Sequence, residues 1–124
     1  MSSRADLAEI SNISKPLPAS LDWRLLGKVT SIKQQGKCGS CWAFGTVATV
    51  ESAYLIKENK SLDLSEQELV DCASHSQKYY NRGCEMGFSD VAFDYIRDRG
   101  LVEETWYPYM EKVCGIELYL IISH

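Results

Sequence analysis

Residues 35–44 read Gln-Gly-Lys-Cys-Gly-Ser-Cys-Trp-Ala-Phe, and this run decides how the rest of the 124-residue chain is read. Two glycines in four residues, Gly36 and Gly39, make the stretch from Gln34 to Gly39 a loop. An apolar pattern begins at Trp42, so Cys41 falls at the start of a helix with Ser40 in the N-cap position. A cysteine attacks a carbonyl carbon only as the thiolate, and a helix N-terminus favours that form. Gln35, just upstream, brings an amide that can donate to an oxyanion. The run reads as a centre of nucleophilic catalysis, with Cys41 as nucleophile and Gln35 as oxyanion donor.

Downstream, Phe44, Val47, Ala48, Glu51, Tyr54 and Leu55 recur at three- to four-residue spacing, which predicts a helix from Ser40 to about Asn59. Glu51 is the odd member, about 20° from Phe44 on a helical wheel. Either it is paired, hydrogen-bonded or protonated inside, or it sits at the stripe edge and reaches water. A second helix opens at Ser65, because Ser65-Glu66-Gln67-Glu68 is a capping box, with Leu69, Val70 and Cys72 as its apolar side. A third runs from about Ser89 to Arg99, with Val91, Ala92, Tyr95 and Ile96 on one face and Gly100 as its stop. Between the second and third, residues 73–83 form an exposed loop. Leu21 to Arg24 and Val29 to Ile32 are strand or loop, and Glu103 to Tyr109 is turn-like. Residues 1–20, polar and carrying Pro16 and Pro18, read as an extended lead-in.

Composition is that of a soluble globular chain of at most one ordinary domain, 45% apolar and 24% charged. A net charge of −4, with no run of basic residues longer than two, argues against nucleic acid and an anionic membrane as partners. Five cysteines, at 38, 41, 72, 84 and 114, favour an oxidising compartment, and their odd number leaves one thiol over if two bridges form. The pairing is open at this point. Asn12-Ile13-Ser14 and Asn59-Lys60-Ser61 are glycosylation sequons, so Asn12 and Asn59 are candidate sites. No signal peptide is visible near Met1, and the late apolar run Leu118 to Ile122 is too short to cross a bilayer.

Together, Leu-Asp-Trp-Arg at 21–24, the run at 35–44, Glu-Ser-Ala-Tyr-Leu at 51–55, Ser61 through Ser74 and Tyr-Pro-Tyr at 107–109 resemble the papain-like cysteine peptidases. The resemblance is closest to the mite group 1 allergen and cathepsin-like branch and covers about residues 20–114. It implies an α+β fold of two domains, a mainly helical left-hand domain and a β-barrel, with the active site between them. The chain reads as the helical domain with the barrel domain missing: 1–20 an extended segment, 21–114 the helical domain, 115–124 an atypical tail. Position by position, Cys41 matches the nucleophile and Gln35 the oxyanion-hole amide. The resemblance implies bridges Cys38–Cys84 and Cys72–Cys114, leaving Cys41 free. It places Gly87 on the surface that binds substrate backbone and Phe88 beside a side-chain pocket. It implies no cofactor and no metal. Peptide or protein substrates, and propeptide-like or cystatin-like inhibitors, are the expected partners. The expected location is secreted, extracellular or lysosomal.

Three features depart from the family pattern. Cys84-Glu85-Met86-Gly87 stands where many members read Cys-Asn-Gly-Gly, so Met86 is expected to crowd the backbone-binding surface. Gly45 replaces a usual serine, and the 73–83 loop is long. The base and its orienting Asn lie roughly 130–150 residues beyond the cysteine in this family, past His124. His75 is a loop histidine that matches no catalytic position, and His124 is the last residue. The expected activity is therefore that of a cysteine endopeptidase acting through an acyl-enzyme on Cys41, with this chain inactive alone. A non-catalytic decoy or antigenic binding protein is the alternative. A thiol–disulfide oxidoreductase built on Cys38-Gly-Ser-Cys41 is more remote, since no βαβ unit precedes it. A four-cysteine zinc site fits less well, because Cys72 and Cys84 lack close pairing. Exposed apolar surface and the β-prone tail lead to an expectation of self-association.

Overall fold

The computed structural model describes residues 16–115, which hold three helices and no strand. Helix α1 spans Cys41–Glu58, α2 spans Glu66–Cys72 and α3 spans Ser89–Arg99. Two isolated β-bridges, Leu64 with Glu103 and Ser74 with Asn81, tie loops together. The segments at 21–24 and 29–32 are turns and irregular chain rather than strand. Residues 1–15, with Asn12, and residues 116–124, with most of the tail, lie outside the described residues.

Helix α1 packs against both α2 and α3. It ends at Asn59, which takes the left-handed conformation (φ 52°) and donates its N–H to Tyr54 O. Its buried face is Trp42, Ala43, Thr46, Val47 and Glu51, turned from the predicted stripe: Ala48 and Tyr54 are exposed. Periodicity locates an apolar stripe but not the side on which neighbours pack. Trp42 sets that side, its indole N–H donating 3.0 Å to Gly83 O beneath the core. The core itself joins Trp42, Ala43 and Val47 to Leu64, Leu69, Val70, Ala73, Tyr79, Val91, Ala92 and Tyr95. Leu69 and Val70 are fully buried, each contributing about 1.5–3 kcal/mol relative to exposure.

Helix α2 is too short to stand on propensity alone. Ser65 caps it, accepting the Glu68 N–H at 3.1 Å. Only half of the predicted capping box forms, because the Glu68 carboxylate turns to Tyr95 Oη (2.9 Å) and Val102 N (2.8 Å) instead. Of its other buried polar residues, Glu66 meets Lys33 from the chain before α1, while Gln67 and Asp71 are met by chain that follows α3. Gln67 Oε1 accepts from Met110 N at 2.8 Å and Gln67 Nε2 donates to Lys112 O at 2.8 Å. Asp71 accepts from Tyr107 Oη at 2.7 Å and Cys114 N at 2.8 Å. A buried polar group without a partner costs about 1–3 kcal/mol, so this girdle is what permits α2 to lie inside.

Helix α3 has the bounds its sequence predicts, ending at Gly100, whose φ of 76° suits glycine. The 73–83 loop is only partly exposed. His75 through Lys78 face solvent, while Ser74, Tyr79, Asn81 and Gly83 are buried. Tyr79 packs edge-on to Tyr95 at 5.2 Å and its hydroxyl reaches Asp98 at 2.7 Å.

Candidate active site

Cys41 is the first residue of α1, and its thiol is exposed and free. Three restraints aim it. Cys38 is bridged to Cys84, and so not to Cys41. Gly39 N donates to Cys84 O at 2.7 Å. A Cβ on Gly39 would stand 2.4 Å from that same oxygen, so only glycine permits this approach. The nucleophile loop and the 81–88 loop are thereby held side by side.

Ser40 occupies the N-cap position but does not cap: its side chain bonds no helical N–H. Its Oγ lies 2.7 Å from the Tyr109 hydroxyl. Tyr109 Oη also donates to Gln35 O at 2.6 Å, and its ring meets Phe44 edge-on at 4.9 Å. Next along, the Glu111 carboxylate accepts the Lys37 N–H. It fills the space beside Gly36, which has a φ of 65°. Gln35 is half-buried and spends one amide N–H on Cys38 O at 3.0 Å. An amide carries two such donors, and the second has no partner among the described residues.

Gly87 lies against the Trp42 indole, where a Cβ would come within 2.4 Å of the ring. Phe88 is half exposed, its N–H donating to Asn81 Oδ1 at 2.7 Å and its ring 6.3 Å from Tyr80. Met86 is exposed beside them. These residues form a wall with apolar side chains in solvent, next to the Cys38–Cys84 bridge. His75 is exposed and no hydrogen bond joins it to Cys41.

Glu51 is the sharpest departure from a solvent-reaching carboxylate. It is fully buried. Its oxygens accept from Thr30 Oγ1 (2.5 Å), Lys33 Nζ (3.0 Å) and Leu64 N (2.8 Å). Lys33 also reaches Glu66 and Asp63, each at 2.8 Å. Burial opposes the Lys33 charge, but the hydrogen bonds it donates to Asp63, Glu66 and Glu51 outweigh it and raise its pKa. Burial pushes Glu66 up to about 7, against the pull of Lys33. A cavity of about 420 Å³ borders Lys33, Glu51 and Asp63 and does not include Cys41. This group braces α1 against α2 and takes no part in the geometry at the thiol.

The second expected bridge is absent: Cys72 and Cys114 are free thiols. Cys114 is held by its N–H on Asp71, and its Sγ lies 3.9 Å from Gln67 Nε2 and 3.8 Å from Lys112 O. Those contacts occupy the sulfur without bonding it to Cys72. Burial pushes the Cys72 thiol up to about 11, with Glu68 and Asp71 adding to the effect. Asn59 is exposed, with Oδ1 accepting from Lys28 Nζ at 3.1 Å.

Sequence reasoning missed Tyr109 and Glu111 as parts of this site. The signal was present in Tyr107-Pro108-Tyr109, but the run read as a turn and as part of the family resemblance, with no role at the site.

Comparison with known proteins agrees with this geometry. The model of the papain family cysteine proteases matches residues 17–117, and the chain belongs to that family. It is 54% identical over 99 residues to the KDEL-tailed cysteine endopeptidase CEP2 of Arabidopsis thaliana, covering 79% of this chain and 26% of that protein. A solved structure from work on the mite allergens Blo t 1 and Der p 1 superposes with a TM-score of 0.80 at 44% identity, covering 86% of this chain and 35% of that one. The Carica candamarcensis cysteine protease CMS1MS2, solved in complex with E-64, gives 0.74 at 38% identity, covering 84% of this chain and 46% of that one. The chain thus spans between about a quarter and a half of the proteins it matches. The described domain is the helical part of the papain-like fold.

Proposed function

We propose that this chain supplies the nucleophile-bearing domain of a cysteine endopeptidase. Cys41 attacks the peptide carbonyl, and the second amide N–H of Gln35 and the N–H of Cys41 receive the oxyanion. Gly87 and Phe88 line the substrate side of the cleft. The observation that carries the reading is a free, exposed thiol at the start of an 18-residue helix, beside a bridged loop that holds its backbone. His75, the histidine among the described residues, forms no hydrogen bond with Cys41, and the described domain alone is not expected to hydrolyse peptides. Its location is secreted, extracellular or lysosomal, in keeping with relatives that include a KDEL-tailed endopeptidase and a pro-cathepsin H. Peptide substrates and inhibitors such as E-64 are its ligands.

The test is chemical labelling of the purified chain with iodoacetamide at limiting reagent, followed by peptide mapping. Cys41 takes the first equivalent if the reading holds, and first labelling at Cys72 or Cys114 overturns it. A peptidase assay on the same sample addresses the second claim: turnover that disappears in Cys41→Ser shows that the chain is active alone. A non-catalytic binding role is the second reading, favoured by the half-exposed Met86, Phe88 and Tyr80 on a wall this chain completes by itself. Binding of a cystatin-like inhibitor without hydrolysis separates it from a purely catalytic one.

A further inference from the structure

We infer that Tyr109 is a positioning residue for Cys41, acting by withholding Ser40 from the helix it should cap. The inference rests on reading Cys41 as the nucleophile.

The proton inventory settles which way the bonds run. A phenol has one proton, and a backbone carbonyl can only accept. Tyr109 Oη therefore gives its proton to Gln35 O at 2.6 Å, and must accept at 2.7 Å from Ser40 Oγ. The Ser40 hydroxyl, which also lies 3.4 Å from Cys38 O, is turned toward the nearer Tyr109 and away from the helix. Its backbone agrees, with φ −102° and ψ 19°, whereas a capping residue sits in the extended region. The N–H groups of Cys41 and Trp42 then have no partner among the described residues, because Ser40 O takes those of Ala43 and Phe44.

The same phenol closes a ring. Gln35 Nε2 and Ser40 N both donate to Cys38 O, at 3.0 and 2.8 Å, so Tyr109, Gln35, Cys38 and Ser40 form one circuit around the loop before Cys41. Tyr109 is itself fixed, its N–H on Glu104 Oε1 at 2.9 Å and its ring against Phe44. Residue 109 thus decides whether the first turn of α1 is capped by its own serine or left open to an incoming anion.

The experiment uses this chain with Tyr109→Phe, which keeps the ring against Phe44 and removes the hydroxyl. The freed Ser40 Oγ then accepts the Trp42 N–H. Amide hydrogen exchange at Trp42 slows by about fivefold, the strength of an ordinary cap. The rate of Cys41 labelling by iodoacetate relative to iodoacetamide falls by about two- to fivefold, because the anionic reagent loses open N–H groups at a helix start. Adding Ser40→Ala to Tyr109→Phe returns both readings to parental values. A tyrosine that merely holds the fold gives the opposite sign: exchange speeds up and the reagent ratio is unchanged. Exchange at Trp42 that is unaltered or faster in Tyr109→Phe overturns the inference. Ser40→Ala alone is the second variant, informative even if Tyr109→Phe unfolds. Its Trp42 exchange matches the parent if Ser40 does not cap, and an acceleration shows that it does. None of these exchange readings depends on Cys41 being a catalytic nucleophile. Failure of that assignment appears only in the site of first labelling.

Discussion

Two helices in this domain begin with a serine, and the two serines do opposite things. Ser65 sits in the extended conformation (φ −81°, ψ 110°), accepts the Glu68 N–H and donates to Tyr107 O at 2.6 Å. Ser40 is equally buried but has a different backbone, caps nothing and bonds Tyr109. The first arrangement completes α2 and hides it among Lys33, Tyr95 and the chain at 101–114. The second leaves the start of α1 incomplete, with a thiol in solvent. The partner that the rest of the fold offers the serine decides between a sealed helix end and an open one.

Removing Lys33 attacks the sealed end hardest. Lys33→Met strands Glu51 and Glu66, both buried, and the expected loss is about 3–5 kcal/mol in urea unfolding. A loss under about 1 kcal/mol would mean that water reaches these carboxylates. Thiol chemistry sharpens the contrast next. Cys72, at the far end of α2, has its thiol pushed up to about 11. Only about one molecule in a thousand is then thiolate at pH 8, and thiolate is what reacts. Cys41, whose thiol is exposed, is expected to alkylate at least about tenfold faster than this buried thiol. If Cys72 reacts only after reduction, the Cys72–Cys114 bridge forms in solution and this structure shows its open state.

The serines themselves come third. Ser65→Ala loses a cap and a buried hydrogen bond, about 2 kcal/mol, while Ser40→Ala costs less than about 1 kcal/mol. Equal losses in thermal or urea unfolding would break the comparison. The smallest effect is a pH slope. Burial pushes the Glu66 carboxyl from its ordinary 4.5 up to about 7 in the folded state, so the folded state binds this proton more tightly. Its contribution is fully present below about pH 4.5 and is lost as pH rises through 7. Glu68 and Glu104 are raised by burial with the same sign, so the test is a difference: Glu66→Gln flattens the decline in urea midpoint between pH 5 and 8 relative to the parent.

What sequence reveals here follows from the range of each interaction. The bounds of α1 and α3 and the start of α2 are local, set by periodicity, a cap and a terminal glycine, whereas the free Cys41 was implied only by the family resemblance. Glu51 was ambiguous because its partners Thr30, Lys33 and Leu64 come from two other segments. The rotation of α1 depended on Trp42 finding Gly83, and the open end at Ser40 on Tyr109. A local reading gives Ser40 the role that Ser65 plays, and only tertiary contact tells them apart.

The clasp on the nucleophile loop also imposes an order of events during synthesis. Gln35 and Tyr109 are 74 residues apart. At about 5–20 residues per second, the loop leaves the ribosome several seconds or more before the tyrosine that closes it. During that interval Cys38 and Cys41 are neighbours without a scaffold, and Cys84, the correct partner of Cys38, is made before the clasp arrives. Nascent chains ending between residues 84 and 109 are therefore where mispairing through Cys41 competes, and arrested chains of graded length would reveal it as a wrong bridge that fades once Tyr109 has been added.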